Sequence, residues 1–157
     1  MSKTRGPIGI ESIGVYIPKE RHTAEYISQQ SGTPVEILIT KMGLRSKAVP
    51  GPDDHTVAMG VRAAKTAIER ARIDPGRDID LVIWAGEVYA EHPMVTYGIK
   101  LQHEVGATRA WAFDVNQRCG TFVVAMMLAK SLMQTQGYKR VLIASGYRNC
   151  DLIDSSN

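Results

Sequence analysis

The run Leu81-Val82-Ile83-Trp84-Ala85 constrains this chain more than any other feature. Five apolar residues in succession leave no polar face, so a strand made of them must be covered on both sides, as interior parallel strands are. Around it, strand and helix patterns alternate from Ile79 onward: a strand over Ile79 to Ala85, a helix over Val95 to Val105 ended by Gly106, a strand over Arg109 to Val115, a helix over Thr121 to Thr135, and a strand over Val141 to Ser145. That order is the signature of βαβ units with right-handed crossovers, which places the chain in the α/β class.

Upstream, Ile8, Ile10, Ile13, Val15 and Ile17 suggest a further strand from Ile8 to Pro18, closed by a proline that suits a strand end. Thr23 is placed to cap a short helix running to Gln30, and a second helix is expected between Pro34 and Gly43. A small extended piece covers Arg45 to Val49. Between His55 and Arg72, Val57, Val61, Ala64, Ile68 and Ala71 recur at helical spacing, predicting a helix with one buried face, which Asp74-Pro75-Gly76 then breaks. With the first strand included, the expectation is one five-stranded, mostly parallel sheet with helices.

The helix after Thr121 carries a second constraint. Phe122-Val123-Val124-Ala125-Met126-Met127-Leu128-Ala129 is apolar all the way round, so one sheet face cannot cover it and a further layer is expected. The chain also ends soon after a buried strand, at Asp151 to Asn157, without a closing element. These features lead us to expect half of a larger fold, completed by more chain or by a second copy.

Cys119 stands where a strand pattern passes through the polar turn Asn116-Gln117-Arg118 into that helix. The first turn of a helix presents unpaired N–H groups and the positive end of the backbone dipole, a setting that stabilises negative charge on sulfur. A strand-turn-helix junction is also how several acyl-transfer folds present a nucleophile. A buried structural cysteine is the competing identity.

Several chemistries are excluded or unsupported. A net charge of +3 over 157 residues, with Lys41, Arg45 and Lys47 the densest basic group, gives no nucleic-acid footprint. Cys119 and Cys150 make no disulfide framework, which fits a reducing cytoplasm, and no stretch approaches the roughly 18 apolar residues of a membrane span. His22, His55, His92 and His103 lack the paired spacing of a zinc site, and no dinucleotide or phosphate-loop glycine motif is present, so neither a metal nor a nicotinamide cofactor is expected.

The ordered stretches Gly9-Ile10-Glu11-Ser12-Ile13-Gly14-Val15-Tyr16-Ile17-Pro18, Thr40-Lys41-Met42-Gly43-Leu44-Arg45, Met59-Gly60, Ile79-Asp80-Leu81-Val82-Ile83, Ala112-Phe113-Asp114-Val115 and Cys119-Gly120-Thr121-Phe122 resemble the N-terminal half of thiolase-fold condensing enzymes. The resemblance is to the 3-oxoacyl-(acyl-carrier-protein) synthase III family, with similarity also to hydroxymethylglutaryl-CoA synthase. It implies a thiolase-like layered fold over residues 1–157 with the C-terminal half absent. It also implies that Cys119 accepts an acyl group from a coenzyme A thioester and passes it to a carbanion made by decarboxylating a malonyl thioester, with acyl carrier protein as a partner and a homodimer as the assembly. The His and Asn partners of the family cysteine would come from the missing half.

Residue by residue, the resemblance puts Lys41 and Arg45 near the coenzyme entrance, where both could meet phosphate; solvated surface charge is the alternative for both, and the favoured one for Lys41. Ile37 falls where bacterial synthases carry an aromatic residue against adenine. Met94 falls where a dimer partner inserts a side chain into the acyl pocket. Glu87, at the end of the Ile79 strand, matches the catalytic glutamate of hydroxymethylglutaryl-CoA synthase and is a candidate general acid or base; a strand-end ion pair is the alternative. Two other readings stand beside the synthase III one: a hydroxymethylglutaryl-type condensation using Glu87, and a non-catalytic acyl-binding or partner subunit.

Overall fold

The computed structural model describes residues 6–86 and 92–148. In chain order its elements are β1 (Glu20–Thr23), α1 (Ala24–Ser31), α2 (Val35–Thr40), β2 (Ser46–Val49), α3 (Thr56–Ala71), α4 (Pro75–Asp78), β3 (Leu81–Gly86), α5 (Tyr97–Val105), β4 (Trp111–Asn116), a single 3-10 turn (Arg118–Gly120), α6 (Thr121–Gln136) and β5 (Val141–Ala144). They form two compact units, one of Met1–Tyr16 with Thr56–Tyr147 and the other of Ile17–His55 with Arg148–Asn157.

In the smaller unit, β1 and β2 pair antiparallel, Glu20 opposite Val49 and Thr23 opposite Ser46. Thr23 caps α1 as its residue type predicts, its hydroxyl accepting from the Tyr26 N–H at 3.3 Å. Gly32, at φ +70°, ends the helix in the left-handed backbone that glycine adopts without penalty.

The larger unit is a three-layer sandwich. Its sheet has the order β4-β3-β5, both pairings parallel, with Leu81 opposite Trp111 on one side and Val141 on the other. β3 is the central strand, and Leu81, Val82, Ile83, Trp84 and Ala85 are all buried, which meets the two-sided covering their composition demands. Alternate side chains of β3 go to opposite layers. Val82 and Trp84 pack with Val57, Val61 and Ile68 of α3 and with Tyr97 and Leu101 of α5, whereas Leu81, Ile83 and Ala85 pack with Ala125 and Ala129 of α6.

The mixed α/β class and the parallel sheet are as the sequence predicts, but the single five-stranded sheet is not. Five strands are present among the described residues, divided two and three between separate sheets. Ile8 to Pro18 is not a strand: among the described residues no strand lies alongside to give it a ladder. Its Glu11–Tyr16 part keeps the two-residue alternation of extended chain and is tied to α3 instead. Ser12 Oγ donates to the Ala67 carbonyl at 2.8 Å, Arg70 Nη1 to the Ile13 carbonyl at 2.7 Å, and Arg62 Nη1 to Tyr16 Oη at 2.7 Å. A Cβ at Gly14 would collide with the Ala63 carbonyl oxygen, so the close approach to α3 requires glycine there. Ile13 and Val15 consequently face outward, each 61% exposed. Arg140, just before β5, pairs with Glu11 at 2.9 Å, and a cavity of about 550 Å³ lies between this segment, α3, α6 and β5.

The exposed face of α6 agrees with its all-round apolarity. Small Ala125 and Ala129 meet the sheet, while Val123 and Met127 are 56% and 66% exposed. Among the described residues no helix is long and apolar enough to cross a membrane.

At the predicted break, Pro75–Asp78 makes one helical turn rather than a plain loop. Asp74 Oδ1 accepts from the Gly76 N–H at 2.9 Å, and Asp78 Oδ2 accepts from the Asp74 N–H at 2.9 Å. That backbone bond, with help from the neighbouring Arg77, holds the Asp78 carboxyl below the ordinary aspartate value. A carboxyl lowered in the folded state contributes stability that is present above its unfolded value and is lost as pH falls through the folded one. Urea midpoints of wild type and Asp78→Asn should therefore differ at neutral pH and converge in acid; a difference that persists in acid would exclude the carboxylate as its source.

Candidate active site

β4 alternates between its two faces. Ala112 goes to the α3 and α5 layer, while Phe113 and Val115 lie against the α6 layer. Asp114 anchors the adjacent helix: its carboxylate accepts from the Tyr97 N–H at 2.8 Å and the Gly98 N–H at 2.6 Å, placing negative charge on the N-terminus of α5. A Cβ at Gly98 would stand 2.7 Å from the Phe113 carbonyl oxygen, so glycine permits this docking.

Beyond Asn116 the chain turns sharply. Arg118 has φ +56°, one of two non-glycine residues in the left-handed region among those described, and the 3-10 turn Arg118–Gly120 delivers Cys119 to the start of α6. Cys119 is exposed, which removes the buried structural cysteine as its identity. It leaves from the carboxyl edge of the parallel sheet, where Asn116 of β4 is registered with Gly86 of β3, the edge at which α/β sheets gather their ligand sites.

Thr121 holds this elbow together, and nothing in the hydrophobic pattern marks it. Its side chain, 3% exposed as part of a buried residue, donates from Oγ1 to the Arg118 carbonyl at 2.6 Å and accepts from the Gln117 N–H at 2.8 Å. The Thr121 N–H also donates to the Arg118 carbonyl. The available signal was a threonine at a first helical position, where hydroxyls bond local backbone.

Glu87 and Cys150 lie outside the described residues. Lys41, at the C-terminus of α2, and Arg45 are exposed and belong to the smaller unit, and Met94 is 97% exposed. Ile37 is half-buried within α2. Among the described residues no group of three or more His, Cys, Asp and Glu could hold a metal ion.

Residues 113–157, beginning in β4 and including Cys119, match the family model for 3-oxoacyl-[acyl-carrier-protein] synthase III. The chain is 30% identical over 142 residues to the β-ketoacyl-[acyl-carrier-protein] synthase III of Streptomyces lividans, covering 90% of this chain and 41% of that protein. It is 30% identical over 147 residues to synthase III 1 of Bacillus anthracis, covering 94% of this chain and 47% of the relative. The fold matches the crystal structure of the priming β-ketosynthase of the R1128 polyketide pathway with a TM-score of 0.87 at 28% identity, over 94% of this chain and 44% of the other. The 3-oxoacyl-[acyl-carrier-protein] synthase III of Aquifex aeolicus shares the fold, with a TM-score of 0.86 at 24% identity, over 94% of this chain and 47% of that one. The chain thus spans less than half the length of the relatives it matches.

Proposed function

We propose that this chain, a 3-oxoacyl-(acyl-carrier-protein) synthase III-like family member with the thiolase-like α/β fold, carries the nucleophile of an acyl-condensing acyltransferase. The observation behind the reading is the exposed Cys119 on a left-handed elbow at the N-terminus of α6. In the first half-reaction the Cys119 thiolate attacks the carbonyl of an acyl-coenzyme A thioester and expels coenzyme A thiolate. Backbone N–H groups opening α6 stabilise the transient oxyanion. In the complete protein, loss of carbon dioxide from a malonyl thioester on acyl carrier protein gives a carbanion that attacks the acyl-cysteine. The products are a 3-oxoacyl thioester and the regenerated Cys119 thiolate.

Lys41 and Arg45, both exposed, are the proposed contacts for coenzyme phosphate. Met94, almost wholly exposed, is the proposed residue that a second copy would receive into its acyl pocket. A cytoplasmic homodimer without metal or bound cofactor completes the reading. The exposed apolar face of α6 supports a covering layer from further chain or from a partner, and in the non-catalytic alternative that association is the chain's whole role.

The complete polypeptide, assayed with acyl-coenzyme A and a malonyl thioester on acyl carrier protein, should release carbon dioxide and form the 3-oxoacyl thioester, and Glu87→Gln should leave that rate within about two-fold. Loss of condensation in Glu87→Gln, with an acetoacetyl thioester as the productive acceptor, would instead assign the hydroxymethylglutaryl-type reaction.

A further inference from the structure

We infer that Thr121 is a positioning residue for Cys119, acting through the backbone on either side of it; the inference rests on Cys119 being the nucleophile proposed above. Residues do not hold a left-handed backbone without glycine unless their surroundings over-determine it. At Arg118 the hydrogen bonds that hold the carbonyl are made by Thr121. Both bonds to the Arg118 carbonyl come from that one residue, through its N–H and its hydroxyl, and the same hydroxyl receives the Gln117 N–H. The hydroxyl therefore closes a loop whose ends are Gln117 and Thr121 and which carries the exposed Cys119 between them.

The loop is packed as well as bonded. A Cβ at Gly120 would run into the Gln117 side-chain amide oxygen, so the Gln117 side chain lies against the Gly120 backbone. With Cys119 flanked on both sides by constrained backbone, the direction of its sulfur follows from the turn, and the turn follows from the Thr121 hydroxyl. Relaxation of Arg118 towards the right-handed region would turn Cys119 away from the end of α6 while leaving the sandwich core untouched.

Thr121→Val keeps the shape of the side chain and removes both hydroxyl bonds, and Thr121→Ser keeps the bonds. Acyl transfer from acyl-coenzyme A to Cys119 should slow at least about ten-fold in the valine variant with KM unchanged, while the serine variant stays within about two-fold of wild type. Labelling of Cys119 by iodoacetamide, resolved by peptide mass spectrometry, should show the same order. In an Arg118→Gly background, where a left-handed turn carries no penalty, Thr121→Val should cost at most about two-fold. A simple loss of stability would not be rescued that way, and circular dichroism melts would report it directly.

The inference is overturned if Thr121→Val labels and acylates at the wild-type rate, if Thr121→Ser is as slow as valine, or if glycine at residue 118 rescues nothing. Should wild type accept no acyl group while labelling still falls in valine and not in serine, the positioning role stands and the acyl-transfer reading fails. Should Thr121→Val not fold, the serine variant and the Arg118→Gly pair decide the matter by the same labelling rates.

Discussion

Incubated with a panel of acyl-coenzyme A thioesters, the wild-type chain gains the mass of one acyl group, and Cys119→Ser gains none. The expectation follows from exposure and placement together. Cys119 is accessible in the 3-10 turn just before α6, next to a helix start whose first N–H groups have no partners within the helix. A serine oxygen there keeps the geometry but is a far weaker nucleophile near neutral pH, so acyl transfer should fall by at least about 10³-fold. Intact mass reads the result, and the acyl group that loads fastest names the preferred substrate. Cys150 remains in the variant as an internal control. An adduct of equal amount on Cys119→Ser would move the nucleophile elsewhere, and no adduct on either protein, with the complete polypeptide equally inert, would leave the non-catalytic subunit as the better reading.

Trp84→Ala should cost about 3–5 kcal/mol, a large share of the roughly 5–15 kcal/mol that holds a domain folded. Trp84 is 2% exposed at the centre of β3 and meets Tyr97 edge to face, ring centroids 5.6 Å apart. Its ring also fills the space left by Gly60, where a Cβ would stand 2.5 Å from Cζ3. The indole thus joins β3, α3 and α5, and removing it opens a cavity that backbone on three sides cannot close. Trp111 makes the contrast, because it is 57% exposed on β4 opposite Leu81 and touches Phe113 from the solvent side. Trp111→Ala should cost less than about 1 kcal/mol. Urea titrations followed by circular dichroism measure both, and equal losses would mean that the burial of β3 is not what stabilises the larger unit.

Much of the fold was legible because it depends on neighbours in sequence. The helical spacing of Val57, Val61, Ala64 and Ile68 became the buried face of α3, and the unbroken apolar run became the central strand. Thr23 capped α1 and Gly106 closed α5, since these choices follow from local backbone chemistry. The segment from Ile8 was misread as a strand for the complementary reason. Alternation records an extended chain with two unlike faces, and it does not record whether another strand lies alongside. There the inward face is Ser12, Gly14 and Tyr16, which fit against α3, and the apolar side chains are the ones turned out.

The candidate site divides the same way. A cysteine between a strand pattern and a helix pattern was visible in the sequence, but whether it was buried was not, because burial is decided by what packs over the turn. The left-handed Arg118 was equally hidden, since nothing in arginine itself favours that conformation. By itself, the sequence determined the three strands of the parallel sheet, the helices other than α4, the α/β class and the residue placed at the head of α6. Only the tertiary structure decided that the strands divide two and three, that α6 turns an apolar face outward, that Thr121 bonds across the elbow, and that Cys119 is exposed. Periodicity and capping act over a few residues, whereas pairing, exposure and strain depend on segments far apart in the chain.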